Sequence, residues 1–206
     1  MILDLKDVIQ FMKKIAIEEP FIADAFLIQE PGLNSIEYNS LIKAFPTLPE
    51  SYLNFIRTYD VKQIELGGYQ ISVCSQKSKN FADEMIRWND PDEIRFPISK
   101  KHDLVYFGSD GLDEFFVAGT KSDYKEGEIL SIDHERYDED PIPIKRVAPD
   151  YETFLIICAN KYELEMTEGI DGYNILDELR LRLDALNLPK EYYDYWVWYN
   201  TPSSTM

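Results

Sequence analysis

Apolar residues change period several times along this chain, and the changes divide it. After Asp4, the residues Leu5, Val8, Ile9, Met12 and Ile15 recur at the i, i+3, i+4, i+7 spacing of one helix face. Asp4 is a natural N-cap and Pro20 marks the end. Phe21 to Gly32 is apolar without a clear period. Asn34 and Glu37 have capping-box spacing and predict a short helix over about residues 35–44. In PTLPESYLNFIRTYD, Thr47 and Glu50 repeat that start signal, with Pro49 in the first turn. Tyr52, Leu53, Phe55, Ile56 and Tyr59 then form a broad apolar face.

The period next shifts towards two. Gln63–Leu66 and Tyr69–Cys74 flank Gly67-Gly68 and read as a hairpin. Ser78–Asn89 returns to helical spacing through Phe81, Met85, Ile86 and Trp88. Asn89–Pro97 reads as a polar, Pro-punctuated loop with room for a short strand at its end. Leu104–Gly119, LVYFGSDGLDEFFVAG, is the centre of the predicted sheet. Two aromatic and β-branched runs enclose Gly108, Ser109, Asp110 and Gly111, which are turn formers. Glu128–Asp133 alternates as a half-buried strand should, and Arg136–Pro143 is an acidic loop. Ile142–Val147 reads as an edge strand, because Pro143 has no N–H for a ladder. Asp150 caps a helix carrying Tyr151, Phe154, Leu155 and Cys158.

Beyond Glu168 the pattern is helical again, with Ile175, Leu176, Leu179, Leu183 and Leu186 on one face of Ile170–Leu186. The closing LPKEYYDYWVWYN partly echoes LPESYLNFI near residue 50, a helix start used twice. The prediction is an α+β fold with one mostly antiparallel sheet flanked by helices. Residues 1–168 form the domain, and residues 169–206 form a helical, aromatic-rich extension packed on it.

Composition narrows the function. At 206 residues and 45% hydrophobic content, the chain has enough apolar material for one well-filled core. No run approaches the roughly 20 apolar residues that cross a bilayer, and the N-terminus lacks the basic start of a signal peptide. The expectation is a cytoplasmic protein. Cys74 and Cys158 are too few and too far apart for a disulfide framework and read as buried thiols. The net charge of −17, from 38 acidic and 21 basic residues, disfavours nucleic acid and anionic lipid and favours a basic partner. Acidity that serves only solubility is the plainer alternative.

Candidate chemistry is sparse. G-x-S-x-G, G-x-x-x-x-G-K-S/T and D-x-[DN]-x-[DN]-G are absent, so no nucleophile elbow, phosphate loop or calcium loop is predicted, and no metal or cofactor. His134 stands among carboxylates that would raise its pKa, and reads as a solvated loop histidine. Asp110 sits where a turn former is needed. Asp113 and Glu114 alternate across a strand, which argues against a cooperative carboxylate pair and for turn and solvent-face roles. Partner binding is better served. Asp133, Glu135, Asp138, Glu139 and Asp140 surround Tyr137, an acidic patch with an aromatic anchor. Asp90, Asp92 and Glu93 beside Trp88 make a second patch. The aromatic Tyr192–Tyr199 is a third candidate, for packing on the domain or on a second copy in a homodimer.

The order of these motifs resembles the SUKH superfamily, bacterial immunity proteins related to fungal cell-wall synthesis regulators. The resemblance covers roughly residues 34–160. It rests on Leu48, Pro49, Tyr52, Phe55 and Ile56; on Phe107, Gly108, Asp110, Gly111 and Asp113; and on Asp150, Phe154 and Leu155. The Gly pair comes later after the Leu-Pro helix than the family pattern has it, and the helices beyond Glu168 fall outside the pattern. The resemblance implies one sheet flanked by helices, no catalytic site, and a cytoplasmic role in binding and neutralising a cognate toxin, often a nuclease with a basic surface. A regulatory interaction module with no toxin partner is the alternative, and an enzyme built on His134 or on Asp110 and Asp113 is a third reading.

Overall fold

The structure is a computed structural model and describes residues 1–19, 28–74, 76, 79–168 and 175–200. Its helices are α1 (Leu5–Glu18), α2 (Ser35–Ala44), α3 (Glu50–Thr58), α4 (Phe81–Trp88), α5 (Phe96–His102), α6 (Tyr151–Glu168), α7 (Ile175–Ala185) and α8 (Lys190–Tyr199). Its strands are β1 (Glu65–Leu66), β2 (Tyr69–Gln70), β3 (Leu104–Ser109), β4 (Asp113–Ala118), β5 (Ile129–Asp133) and β6 (Ile144–Ala148). The six strands form one antiparallel sheet in chain order, with α4 and α5 inserted between β2 and β3. This is the α+β architecture expected.

Helix starts are built as the side chains dictate. The Asp4 carboxylate accepts the Asp7 N–H, and Asn34 Oδ1 accepts the N–H groups of Ile36 and Glu37. Glu37 does not complete a reciprocal box. Its buried carboxylate accepts the Phe81 N–H (2.9 Å) and pairs with Lys62 (3.1 Å), tying α2 to the start of α4. Thr47 does not cap α3 either, since Pro49 is the N-cap residue and the Thr47 hydroxyl donates to Asp103 instead. Pro49 and Pro189 hold the same extended geometry at the starts of α3 and α8, the shared device behind the Leu-Pro echo. The Pro20 stop, most of residues 21–32, Ser78 and the start of the 170–186 helix lie outside the described residues.

Both sheet faces are covered. Phe107 and Phe115 point to one face, where Phe154 of α6 packs on them at 5.7 and 5.0 Å between ring centroids. Tyr52 of α3 and Trp196 of α8 extend that aromatic layer. Tyr106 and Phe116 point to the opposite face, towards Trp88 of α4. Two expectations change here. The β5 strand is buried on both faces rather than half-buried, and the segment after Asn89 ends in helix α5, not a strand, with Pro97 in its first turn.

The aromatic extension belongs to the same core. Ile175, Leu179, Leu183, Tyr195 and Trp196 join the single buried apolar cluster, and Trp196 Nε1–H donates to the Val147 carbonyl. β2 reaches β3 only at Gln70–Ser109, and further along β3 the Asn89 side chain takes the Tyr106 backbone: its oxygen accepts the Tyr106 N–H and its amide donates to the Tyr106 carbonyl. There a side chain does what a longer neighbouring strand would do.

Candidate protein-docking site

The site is organised by Arg95, a residue the sequence did not single out. Arg95 follows the 89–94 turn, whose shape is set by Asn89 and by Asp90 Oδ1 accepting the Asp92 N–H. The Arg95 side chain is 7% exposed, and all three of its nitrogens donate. Nε–H and Nη2–H donate to the two oxygens of Glu114 at 3.0 and 2.6 Å. Nη1–H donates to the Trp88 carbonyl at 2.8 Å and to Glu93 at 3.1 Å. The cation also lies 4.4 Å from the Tyr106 ring centroid and 5.5 Å from that of Trp88. Burial opposes the Arg95 charge, but the Glu114 hydrogen bonds and charge outweigh it and hold its pKa above the ordinary value.

Glu114 completes the link. Its Oε2 also accepts the Tyr137 hydroxyl at 2.6 Å. Burial and the Glu114 charge push the Tyr137 phenol far up, so it stays a donor. One Arg–Glu–Tyr unit therefore fastens the Trp88–Glu93 segment and the 133–140 segment to β4. Two candidate patches forty residues apart in the chain become neighbours on one face.

The rim of that face is acidic. Asp90, Asp92, Glu135, Asp138 and Asp140 are exposed, and none has an ion-pair partner among the described residues. Asp133 caps the following turn through the Glu135 N–H, and Glu139 is bound bidentately by Arg136, which holds its carboxyl below the usual range. Between α4 and the sheet lies a cleft of about 280 Å³ lined by Trp88, Arg95, Tyr106 and Glu114. Unpaired carboxylates beside partly exposed Trp88 and Tyr137 suit a basic, non-obligate partner: the charges steer the encounter and the rings supply contact area.

All ten residues named from the sequence lie in the two segments that this unit joins. Arg95, which the sequence did not mark, and Glu114, which it assigned to the solvent face, join them. The signal available was weak, a lone arginine amid carboxylates and a strand glutamate beside an aspartate. The alternation of Asp113 and Glu114 holds, but their solvent-face assignment does not. Glu114 is half-buried against Arg95, and Asp113 is 1% exposed. Asp113 accepts hydrogen bonds from Tyr195 (2.9 Å) and Ser131 (3.1 Å), with Lys145 at 3.8 Å. Burial raises its pKa, and Lys145 and the two hydroxyls pull the other way. Tyr199 donates to Asp110 at 2.7 Å, so two tyrosines one helical turn apart clamp α8 onto the hairpin.

The remaining candidates fall elsewhere. His134 is exposed, and its Nδ1–H donates to the Leu112 carbonyl at 2.7 Å, which raises its pKa. His102, at the end of α5, faces Asp123 at 3.2 Å and takes no part in the Arg95 unit. Cys74 and Cys158 are free and buried. Among the described residues no group of three or more His, Cys, Asp and Glu side chains is arranged to hold a metal ion. No described helix is long and apolar enough to cross a membrane. Comparison with family models, with curated proteins and with solved structures returns no match, so the geometry of this face stands as the guide to function.

Proposed function

We propose that this chain is a binding protein whose acidic, aromatic face docks a basic protein partner, and that the partner is a toxin which it neutralises in the cytoplasm by occupying its basic surface. The observation that carries the proposal is the convergence of residues 88–93 and 133–140 around Arg95, Glu114 and Tyr137. The unit holds two surface segments in fixed register while leaving their outer carboxylates unpaired. Such rigidity lowers the ordering cost of association, and the charge raises its rate. The net charge of −17 extends the same field around the molecule. A basic nuclease cleft is a complementary surface for it, and the motif order resembling the SUKH superfamily supports the toxin as the partner class.

The test is co-expression with the toxin encoded beside this gene, together with stopped-flow association of the purified pair. Protection from the toxin and a stoichiometric complex are expected. Asp138→Lys with Asp140→Lys should slow association by about tenfold at low salt and flatten its salt dependence, with dissociation changed less. Equal killing with and without this protein, or an on-rate indifferent to both substitutions and salt, would refute the proposal.

A further inference from the structure

One exposed aliphatic side chain stands inside the docking face. The turn that carries it is fixed by its own backbone: the Glu93 N–H donates to the Asp90 carbonyl and the Phe96 N–H to the Glu93 carbonyl, both at 3.0 Å. Arg95 Nη1–H holds the Glu93 carboxylate while Nε–H and Nη2–H hold Glu114 of β4, so the side chains on either side of Ile94 are tied to the sheet. Ile94 between them is 68% exposed. Among the exposed large apolar side chains of the described residues, it alone belongs to the 88–95 and 133–140 segments. Asp90 and Asp92 of the same turn carry exposed carboxylates without an ion-pair partner among the described residues. Isolated exposed aliphatic residues are common and need no explanation. This one differs because folding has fixed its backbone and set charge around it.

We propose that Ile94 is the apolar anchor of the docking face, and that the partner receives it in an apolar recess rimmed by lysine and arginine side chains; the inference rests on the docking function proposed above. Carboxylates alone steer a partner better than they hold it. Attraction between exposed charges is screened beyond about 8 Å at physiological salt, and each surface pair contributes little. Burial of apolar surface is not screened in this way, so it sets how long the partner stays. The carboxylates of Asp90 and Asp92 turn away an acidic surface. A cationic surface without a recess would press its charged groups against Ile94 and strip them of water without compensation. The Arg95 clamp thereby gains a second role. It presents a β-branched side chain of few rotamers on a turn that is already ordered, so little freedom is lost on docking. An apolar contact inside a charged rim is the arrangement that concentrates binding energy at protein interfaces.

The experiment follows association of the purified full chain with the toxin encoded beside its gene, and dissociation of the preformed complex, at about 0.15 M and about 1 M salt. Ile94→Ala should raise the dissociation rate about tenfold at both salt concentrations and leave association unchanged. Ile94→Leu keeps the apolar volume and should stay within about threefold of wild type. Asp90→Asn with Asp92→Asn should slow association at the lower salt only. Ile94→Glu separates a recess from a plain cationic surface: the apolar recess predicts faster dissociation, and slower dissociation would overturn the anchor. Because Ile94 is exposed, the melting temperatures of its variants should match wild type, which separates a lost contact from a lost fold. Dissociation indifferent to Ile94→Ala, in a complex whose association is still slowed by Asp138→Lys with Asp140→Lys, would overturn the anchor and leave the docking function standing. Absence of any complex with the wild-type chain would overturn both.

Discussion

Glu114→Gln is the sharpest probe of the unit that holds the docking face together. Arg95 and Glu114 are 7% and 13% exposed at their side chains, so neither charge is well hydrated. Removing one partner of a buried pair typically costs about 3–5 kcal/mol, because the other charge stays buried and uncompensated. Here the loss is smaller. Arg95 keeps the Trp88 carbonyl and Glu93, and the glutamine keeps one acceptor oxygen. Against that, Tyr137 loses its charged acceptor. A destabilisation of about 2–3 kcal/mol follows. Urea unfolding at neutral pH measures it as a midpoint lowered by about 1 M with the slope unchanged, and calorimetry as a melting temperature lowered by about 5–10 °C. Arg95→Met combined with Glu114→Leu removes both charges and should cost at least about 1 kcal/mol less than the two single changes summed. A Glu114→Gln loss within about 0.5 kcal/mol, or strict additivity in the double variant, would refute the claim that this pair organises the face.

Three further outcomes are expected. Tyr195→Phe removes a donor to the buried Asp113 carboxylate and should cost about 1–3 kcal/mol, with Tyr199→Phe costing less because Asp110 is less buried; equal, negligible losses in thermal melts would show that the two phenols do not hold α8 on the hairpin. Burial raises the Asp113 pKa above its unfolded value of 3.8, so the folded state binds the extra proton. The stability contributed by that proton is complete below the unfolded pKa and is lost as pH rises through the folded one. Wild type should therefore lose ground to Asp113→Asn from about pH 4 upward, and a pH-independent difference between the two unfolding curves would contradict this. Gly111 sits at φ +94° with open space around the missing side chain, so Gly111→Val should destabilise through backbone strain alone, by about 1–3 kcal/mol in denaturant titration; no change would mean the turn relaxes freely.

The local elements can be read from the residues themselves, because the forces that set them act over a few positions. Apolar spacing placed α1 and the β3–β4 hairpin, the Asn34 and Glu37 spacing placed α2, and the Asp4, Asn34 and Asp150 side chains cap their helices as their chemistry demands. Charge patterning marked both acidic segments for the same reason: each is a contiguous run. What those runs do together depends on contacts that form only on folding. Strand alternation showed that Asp113 and Glu114 face opposite ways, but not that both faces are covered, since that depends on α8 and on the 133–140 loop folding back across the sheet. Thr47 is spaced as a cap and instead serves Asp103, fifty-six residues away. Arg95 carries no local pattern. Its importance comes from desolvation between partners distant in sequence, and that cost arises only when folding removes the water around them.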